Sequence, residues 1–285
     1  MSKTVENASA RPSLIRAIVL FLGASFFAYL FGLTVHELGH YVLCVILGVP
    51  ERGIVLHPFD LSYNIYGGDL SRAFSTPLRH AISGAAGPML NMLLSVPVGL
   101  VLWRKRSPRL LPILMWASVA LLQESVGMIM GLVDYPDVRY DWVAVMLAGV
   151  PPMAIGVLAA IVLIAGCIWM LLLLPLAGIR AEDAIWRKLL ILLAGIPTLL
   201  LGAVIYLNLL GSNSNVPVEW VLQNRYIALA SSIILLAVIT PLHKCLFPFL
   251  ERISHTHPAQ LTWRDTMPAV GLGTAVIVIQ LTFFN

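Results

Sequence analysis

The sequence predicts an all-α polytopic membrane protein with about seven transmembrane helices, a three-helix core and a short β-hairpin after the first helix. The first observation is composition: of 285 residues, 59% are hydrophobic and only 11% are charged, whereas soluble domains carry roughly 25% charged residues. The other two observations are a series of long apolar segments and one short alternating segment. The net charge of +4 is too weak and too scattered to indicate a nucleic-acid partner.

Seven apolar segments are each long enough to cross a bilayer, whose hydrocarbon core of about 30 Å needs about 20 predominantly apolar residues. They cover residues 14–47, 77–103, 110–133, 152–178, 186–210, 225–246 and 268–284. The first is longer than a bilayer requires, which predicts a tilt, an extension beyond the membrane or a break near Gly23 or Gly32. The chain is therefore predicted to be an integral, multi-pass protein of a lipid bilayer.

The basic residues predict the orientation of these segments. With seven crossings, thirteen of the 18 Lys and Arg residues lie on the side of the amino terminus. Connections rich in Lys and Arg stay in the cytoplasm, so the amino terminus is predicted to be cytoplasmic.

The connection between the first two spans has a different pattern. Residues 59–66 alternate apolar and polar side chains and are followed by Gly67 and Gly68. A period of two followed by glycines is typical of a strand and a turn, which predicts a short β-hairpin. It could cover the helix ends, or its edge could pair with an extended peptide by strand addition.

The first span contains a His-Glu-x-x-His motif at His36, Glu37 and His40. Helical positions four apart lie on one face, about 6 Å apart along the axis, so both imidazoles can reach one Zn²⁺ ion. Glu37 stands beside them, where a carboxylate can take a proton from water and pass it to a leaving amine. A shuffled chain of this composition would contain the motif at a rate of roughly 0.008. The motif predicts a zinc hydrolase; the alternative is a polar cluster that fills a helix interface.

A third metal ligand must come from elsewhere, because a catalytic zinc ion takes three protein ligands and keeps one position open. The candidates are Asp134, Asp137 and Asp141 after the third span, and Glu124 within it. The segment after the third span emerges on the same side of the membrane as His40. The two pieces of chain can therefore meet.

These residues resemble the site-2 protease family of intramembrane zinc metalloproteases. The His-Glu-x-x-His motif matches that of the family, and Gly87, Pro88 and Asn91 resemble its Gly-Pro-x-x-Asn element. The Asn-x-x-Pro and Leu-Asp-Gly signature of the family is absent. Asp141 is similar to the third family element in placement, since a helix ending in Gly149, Val150 and Pro151 follows it. The resemblance implies that Asp141 is the third ligand.

Two further polar residues lie within the spans. Asn91 could hydrogen-bond a substrate carbonyl or developing oxyanion, or it could form a structural bond between helices. Glu124 could accept a hydrogen bond from a ligand histidine, act as a ligand itself, or be a protonated carboxyl satisfied by a neighbouring helix. Small residues over 83–87 are predicted to let the second span press against the first.

The residues together predict three regions: a polar amino-terminal segment over 1–13, a metalloprotease-like membrane core over 14–152, and an additional four-helix region over 153–285 whose role is unknown. The predicted function is a zinc metalloendopeptidase that cleaves a membrane-anchored protein within or near the bilayer. The roles are metal ligation by His36, His40 and Asp141 and catalysis by Glu37 and Asn91. The alternative is a non-catalytic membrane protein on the same scaffold that binds or regulates a transmembrane partner.

Overall fold

The computed structural model describes residues 14–49, 51–56, 63–67, 75–105, 107–136, 141–179, 183–195 and 261–283, together with the isolated residues 237 and 241. Within these residues the helices are α1 (Leu14–Ile46), α2 (Pro77–Trp103), α3 (Leu111–Asp134), α4 (Asp141–Leu147), α5 (Pro152–Leu173), α6 (Ile185–Ala194) and α7 (Trp263–Phe283). Short 3-10 turns at Pro108–Leu110 and Leu174–Ala177 precede α3 and follow α5. The strands are β1 (Glu51–Val55) and β2 (Tyr63–Gly67).

Five of the described helical segments are long and apolar enough to cross a membrane: Leu14–Ile46, Pro77–Trp103, Pro108–Val133, Pro152–Ala177 and Trp263–Phe283. They coincide with five of the seven predicted spans, as a multi-pass membrane protein requires. The predicted span over 186–210 begins in α6 and continues outside the described residues, and the predicted span over 225–246 lies outside them.

The first helix is continuous over 33 residues, so the break that the sequence left open near Gly23 or Gly32 does not occur. At 1.5 Å per residue the helix is about 50 Å long. It ends where Gly48 adopts a φ of +75°, a left-handed conformation that glycine accepts without strain. The backbone N–H of Val49 then bonds to the carbonyl of Cys44.

The long helix α1 is the centre of the bundle and contacts α2, α3, α6 and α7. Its buried apolar side chains, such as Leu20 and Phe21, join the main apolar cluster with residues of α3 and α5, such as Met115 and Met170. The predicted membrane core and the predicted four-helix region pack directly on each other, because α5 lies against α3 and α7 lies against α1.

A second apolar cluster holds the short helix α4 against α3 and α5. It is formed by Trp142, Val143 and Met146 of α4 together with Met128 of α3 and Ile155 of α5. The helix ends before Gly149, whose φ of +102° turns the chain towards α5. The position of Asp141 at the start of α4 is therefore determined by this second cluster.

The connection after α1 contains an antiparallel pair of strands in which Glu51 lies opposite Gly67 and Val55 lies opposite Tyr63. The alternating segment predicted over 59–66 overlaps β2 at residues 63–66, and residues 59–62 lie outside the described part of the chain. Both strands contact α1. The pair therefore lies beside the helix that carries the His-Glu-x-x-His motif.

Candidate metal centre

Three side chains from two distant parts of the chain converge at one point. The Nε2 atoms of His36 and His40 lie 3.2 Å apart. The Oδ2 atom of Asp141 lies 3.1 Å from Nε2 of His36 and 3.4 Å from Nε2 of His40. The three residues form the candidate metal centre, a cluster whose ligand atoms could hold one metal ion.

The spacing of these three atoms fits a small divalent cation. Zinc binds histidine nitrogen and carboxylate oxygen at about 2.0–2.1 Å in tetrahedral sites, which sets neighbouring ligand atoms roughly 3.3 Å apart. The three observed distances range from 3.1 to 3.4 Å. They describe one triangular face of such a tetrahedron, and the fourth corner is available to water or substrate.

The outer ring nitrogens of the two histidines have partners that orient the rings. Nδ1 of His40 lies 2.8 Å from the backbone carbonyl oxygen of Ser83. A carbonyl can only accept, so Nδ1 of His40 carries the hydrogen. Nδ1 of His36 lies 3.0 Å from Oε1 of Glu124. With a hydrogen on each Nδ1, the neutral rings direct the lone pair of Nε2 towards the carboxylate of Asp141. Three electron-pair donors facing one point are a suitable environment for a cation.

The carboxylate of Asp141 is held less tightly than the histidines. Its side chain is 37% exposed, compared with 12% for His36 and 8% for His40. Burial raises the pKa of the Asp141 carboxyl, but in the metal-free protein a proton on the facing nitrogens of His36 and His40 stabilises the carboxylate and holds its pKa below the usual range; a bound metal ion would take the place of that proton. This carboxyl is therefore ionised at neutral pH, as metal ligation requires.

Glycines bring the backbones of α1 and α2 into direct contact beside the centre. A Cβ atom added at Gly39 would lie 2.6 Å from the carbonyl oxygen of Ala86, and one added at Gly87 would collide with Nε2 of His40. The close approach of the first two spans, predicted from the small residues over 83–87, is confirmed. On the other side, a Cβ atom at Gly84 would collide with the backbone oxygen of Asp141.

The predicted catalytic carboxylate, Glu37, is buried on α1 beside the ligand residues. On an ideal helix its side chain projects about 100° from His36 and about 60° from His40. It is therefore a neighbour of the centre that the helix does not force into ligation.

Asn91 forms the interhelical hydrogen bonds that the sequence left open as an alternative. It is fully buried. Its Oδ1 accepts from Nε1 of Trp116 at 2.9 Å, and its Nδ2 donates to Oε1 of Glu124 at 3.3 Å. Its contact with a substrate oxygen stays a prediction.

Among the four acidic candidates for third ligand, the structure brings Asp141 to the two histidines. Glu124 instead contacts the far side of the His36 ring, which corresponds to the first of its three predicted roles. Asp137 and the side chain of Asp134 lie outside the described residues.

Sequence reasoning missed two contributors to this centre. The carbonyl of Ser83 orients His40, but no sequence motif marks a backbone acceptor. Trp116 donates to Asn91 and stacks edge-on against Phe31, with ring centroids 4.8 Å apart. An indole in an apolar span is indistinguishable from ordinary packing in the sequence, although Trp is enriched where its N–H finds a partner.

The chain matches no protein-family model, no curated protein and no solved structure. The functional assignment therefore depends on the chemistry of the centre itself.

Proposed function

We propose that the chain is an intramembrane zinc metalloendopeptidase, similar to the site-2 proteases, that hydrolyses a peptide bond of a membrane-anchored protein. The observation that carries this proposal is the convergence of the Nε2 atoms of His36 and His40 with Oδ2 of Asp141, all within 3.4 Å of one another. A carboxylate that is not one of these ligands, Glu37, follows His36 directly on α1.

Zinc is the proposed metal because its ligand preferences match the centre. Two histidines and one carboxylate also occur in iron(II) oxygenase sites. The helical His-Glu-x-x-His spacing favours zinc and hydrolysis, because it adds a proton-transferring carboxylate next to the metal ligands. A zinc ion held there would lower the pKa of water and polarise the carbonyl of the scissile bond.

Side chains of the protein would supply proton transfer, access for water and stabilisation of the oxyanion. Glu37 takes a proton from the attacking water and hands it to the leaving amine, which is general base and then general acid catalysis. The more exposed side chain of Asp141 is the proposed route for water to a centre whose two histidines are largely covered. Asn91 is proposed to donate to the developing oxyanion in addition to its hydrogen bond with Glu124.

The substrate would be a membrane-anchored protein whose helix unwinds locally. A helical peptide hides its scissile bonds in backbone hydrogen bonds, so cleavage needs an extended stretch. The strand pair β1 and β2 lies beside α1, and an extended substrate can add to the free edge of such a pair.

A Glu37→Gln variant tests the proposal, because it keeps the shape of the side chain and removes its basicity. The full chain is purified in detergent, its zinc content is measured by mass spectrometry, and cleavage of a panel of dye-labelled single-span peptides is followed in vesicles. We expect wild-type zinc content and a cleavage rate at least about 100-fold lower, in keeping with the usual contribution of general acid–base catalysis.

The matched control is Leu38→Met at the neighbouring, exposed position of α1, which is expected to cleave like the wild type. A wild-type chain that binds no zinc would overturn the proposal. A wild-type chain that binds zinc but cleaves no peptide of the panel would favour the alternative, a non-catalytic protein that binds or regulates a transmembrane partner.

A further inference from the structure

Behind the candidate metal centre, four side chains, three of them buried, form a continuous line of hydrogen bonds across three helices. Trp116 of α3 donates to Asn91 of α2, Asn91 donates to Glu124 of α3, and Glu124 contacts His36 of α1. We call this line the relay. At most 5% of Trp116, 2% of Glu124 and none of Asn91 is exposed, so water does not compete for these bonds.

The directions of the first two bonds in the relay follow from its first member. An indole N–H can only donate, so the oxygen of the Asn91 amide must face Trp116. The NH₂ group of Asn91 must then face Glu124, and an NH₂ group can only donate. Oε1 of Glu124 therefore accepts from Asn91 at 3.3 Å.

The last bond of the relay determines the tautomer of His36. The same oxygen of Glu124 lies 3.0 Å from Nδ1 of His36. The oxygen that already accepts from Asn91 is thus the acceptor that faces His36, which leaves Nδ1 of His36 as the donor. Nε2 of His36 is then left with its lone pair on the side of Asp141, where a metal ion needs it.

The packing around Trp116 keeps the relay in this arrangement. Gly32 of α1 lies against the indole: a Cβ atom there would lie 3.3 Å from Nε1 of Trp116 and 3.5 Å from Oδ1 of Asn91. Because Gly32 has no side chain, there is space beside α1 for the hydrogen bond between Trp116 and Asn91. Phe31 contacts the indole ring edge-on.

We propose that Glu124, Asn91 and Trp116 are positioning residues that set the Nδ1–H tautomer of His36 and thereby raise the affinity of the centre for zinc. Hydrogen-bond partners of metal-ligating histidines typically change metal affinity 10- to 100-fold when they are mutated. This inference rests on the proposed function only in that His36 is taken as a metal ligand.

The test compares the full-length wild type with Glu124→Gln and Trp116→Phe in detergent. The zinc dissociation constant is measured by competition with a chelating dye. We expect it to rise about 10- to 100-fold for Glu124→Gln and by a smaller factor for Trp116→Phe, which keeps an aromatic ring but loses the donor.

The matched control is Ser125→Ala. Ser125 is the buried neighbour of Glu124 on α3, and its hydroxyl bonds to the Leu122 carbonyl of the same helix. Its zinc affinity is expected to match that of the wild type.

A second measurement needs no metal. Imidazole ¹⁵N spectra of the metal-free protein at mildly alkaline pH report the tautomer of His36, whose signal is identified by its loss in His36→Gln. We expect Nδ1 of His36 to carry a hydrogen in the wild type, because Oε1 of Glu124 faces it at 3.0 Å, and to lose that hydrogen in part of the molecules in Trp116→Phe. A hydrogen on Nε2, which faces Asp141 in the metal-free protein, is compatible with either result. Variants that match Ser125→Ala in both measurements would overturn the relay.

The two proposals fail in different ways. If the wild type binds zinc but cleaves no peptide, the proposed protease activity is contradicted. The effect of Glu124→Gln on zinc affinity still tests the relay. A wild type that binds no zinc contradicts the protease and also the effect of the relay on zinc affinity, and the spectra of His36 then test only whether the relay orients the ring.

Discussion

The histidine half and the aspartate half of the candidate metal centre are built in different ways. His36 and His40 lie on α1, a 33-residue helix that four others surround, and both rings are fixed by a partner on Nδ1. Asp141 begins a helix of seven residues, and over a third of its side chain is exposed. The histidine half is therefore held in a fixed orientation, whereas the aspartate half is more accessible.

The two halves also belong to different apolar clusters. The main cluster includes α1, whereas the second cluster holds α4 against α3 and α5. The metal affinity of the centre therefore depends on how well the histidines of α1 and the aspartate of α4 stay aligned, because the two helices pack in different clusters. The contacts of Gly84 and Gly87 are where that alignment is set, because α2 touches both halves there.

The largest effect on zinc binding is expected from Gly87→Ala. The added Cβ would collide with Nε2 of His40 and lie 2.7 Å from the backbone oxygen of His36. Overpacking costs roughly 1–3 kcal/mol or more, so we expect a lower melting temperature and loss of bound zinc, measured by thermal unfolding in detergent and by metal analysis. Gly271→Ala is the control, since a Cβ there meets no atom of the described residues within 4 Å.

Gly84→Ala tests how firmly the aspartate half of the centre is held. The new Cβ would press on the backbone of Asp141 and lie 2.9 Å from Cβ of Ala144. Because α4 is short, we expect it to shift, with weaker zinc binding and a smaller loss of thermal stability than Gly87→Ala. Equal losses of stability in the two variants would show that the halves are equally rigid.

An intermediate effect is expected from Asp141→Ala. The change removes one of three ligands while leaving the oriented histidines in place, so zinc stoichiometry should fall and the melting temperature of the metal-free protein should change little. Asp137→Ala is the matched comparison and should keep its zinc. Equal zinc retention in the two variants would refute the assignment of Asp141 as the third ligand.

The smallest effect is expected from Trp142→Phe. Nε1 of Trp142 is buried and has no hydrogen-bond partner among the described residues, so its removal breaks no bond. We expect zinc affinity to be unchanged and the free energy of unfolding to fall by only about 1 kcal/mol, the cost of losing part of a buried ring. Trp142→Ala, which removes the whole ring from the second cluster, should cost about 3–5 kcal/mol. A comparable loss in Trp142→Phe would contradict the idea that α4 is held by apolar packing alone.

The parts of the centre that were predictable from sequence depend on local or topological rules. The helical period places His36 and His40 on one face, and counting spans brings the segment of Asp141 to the same side. The small residues near Gly87 predict close packing, because small side chains let the backbones of any two helices approach closely.

The remaining parts depend on how side chains from different helices meet. The choice between three roles for Glu124 could not be made from sequence, because it requires the rotation of α3 relative to α1. Trp116 carried no signal that separates a hydrogen-bond donor from packing. The strand β1 was missed as well, since Glu51–Val55 begins with two charged residues and a glycine and lacks the alternation seen in residues 59–66.

The contact between the first and the last described helices has a consequence for biosynthesis. Gln280 of α7 donates to the hydroxyl of Thr34, two residues before the metal-binding motif and 246 positions away in the chain. Helices enter the membrane in the order in which the ribosome makes them, so α1 is inserted long before α7 exists. The face of α1 that Gln280 covers must therefore stay against lipid or another protein until α7 has been made, and the helix that carries His36 and His40 is not fully enclosed before then.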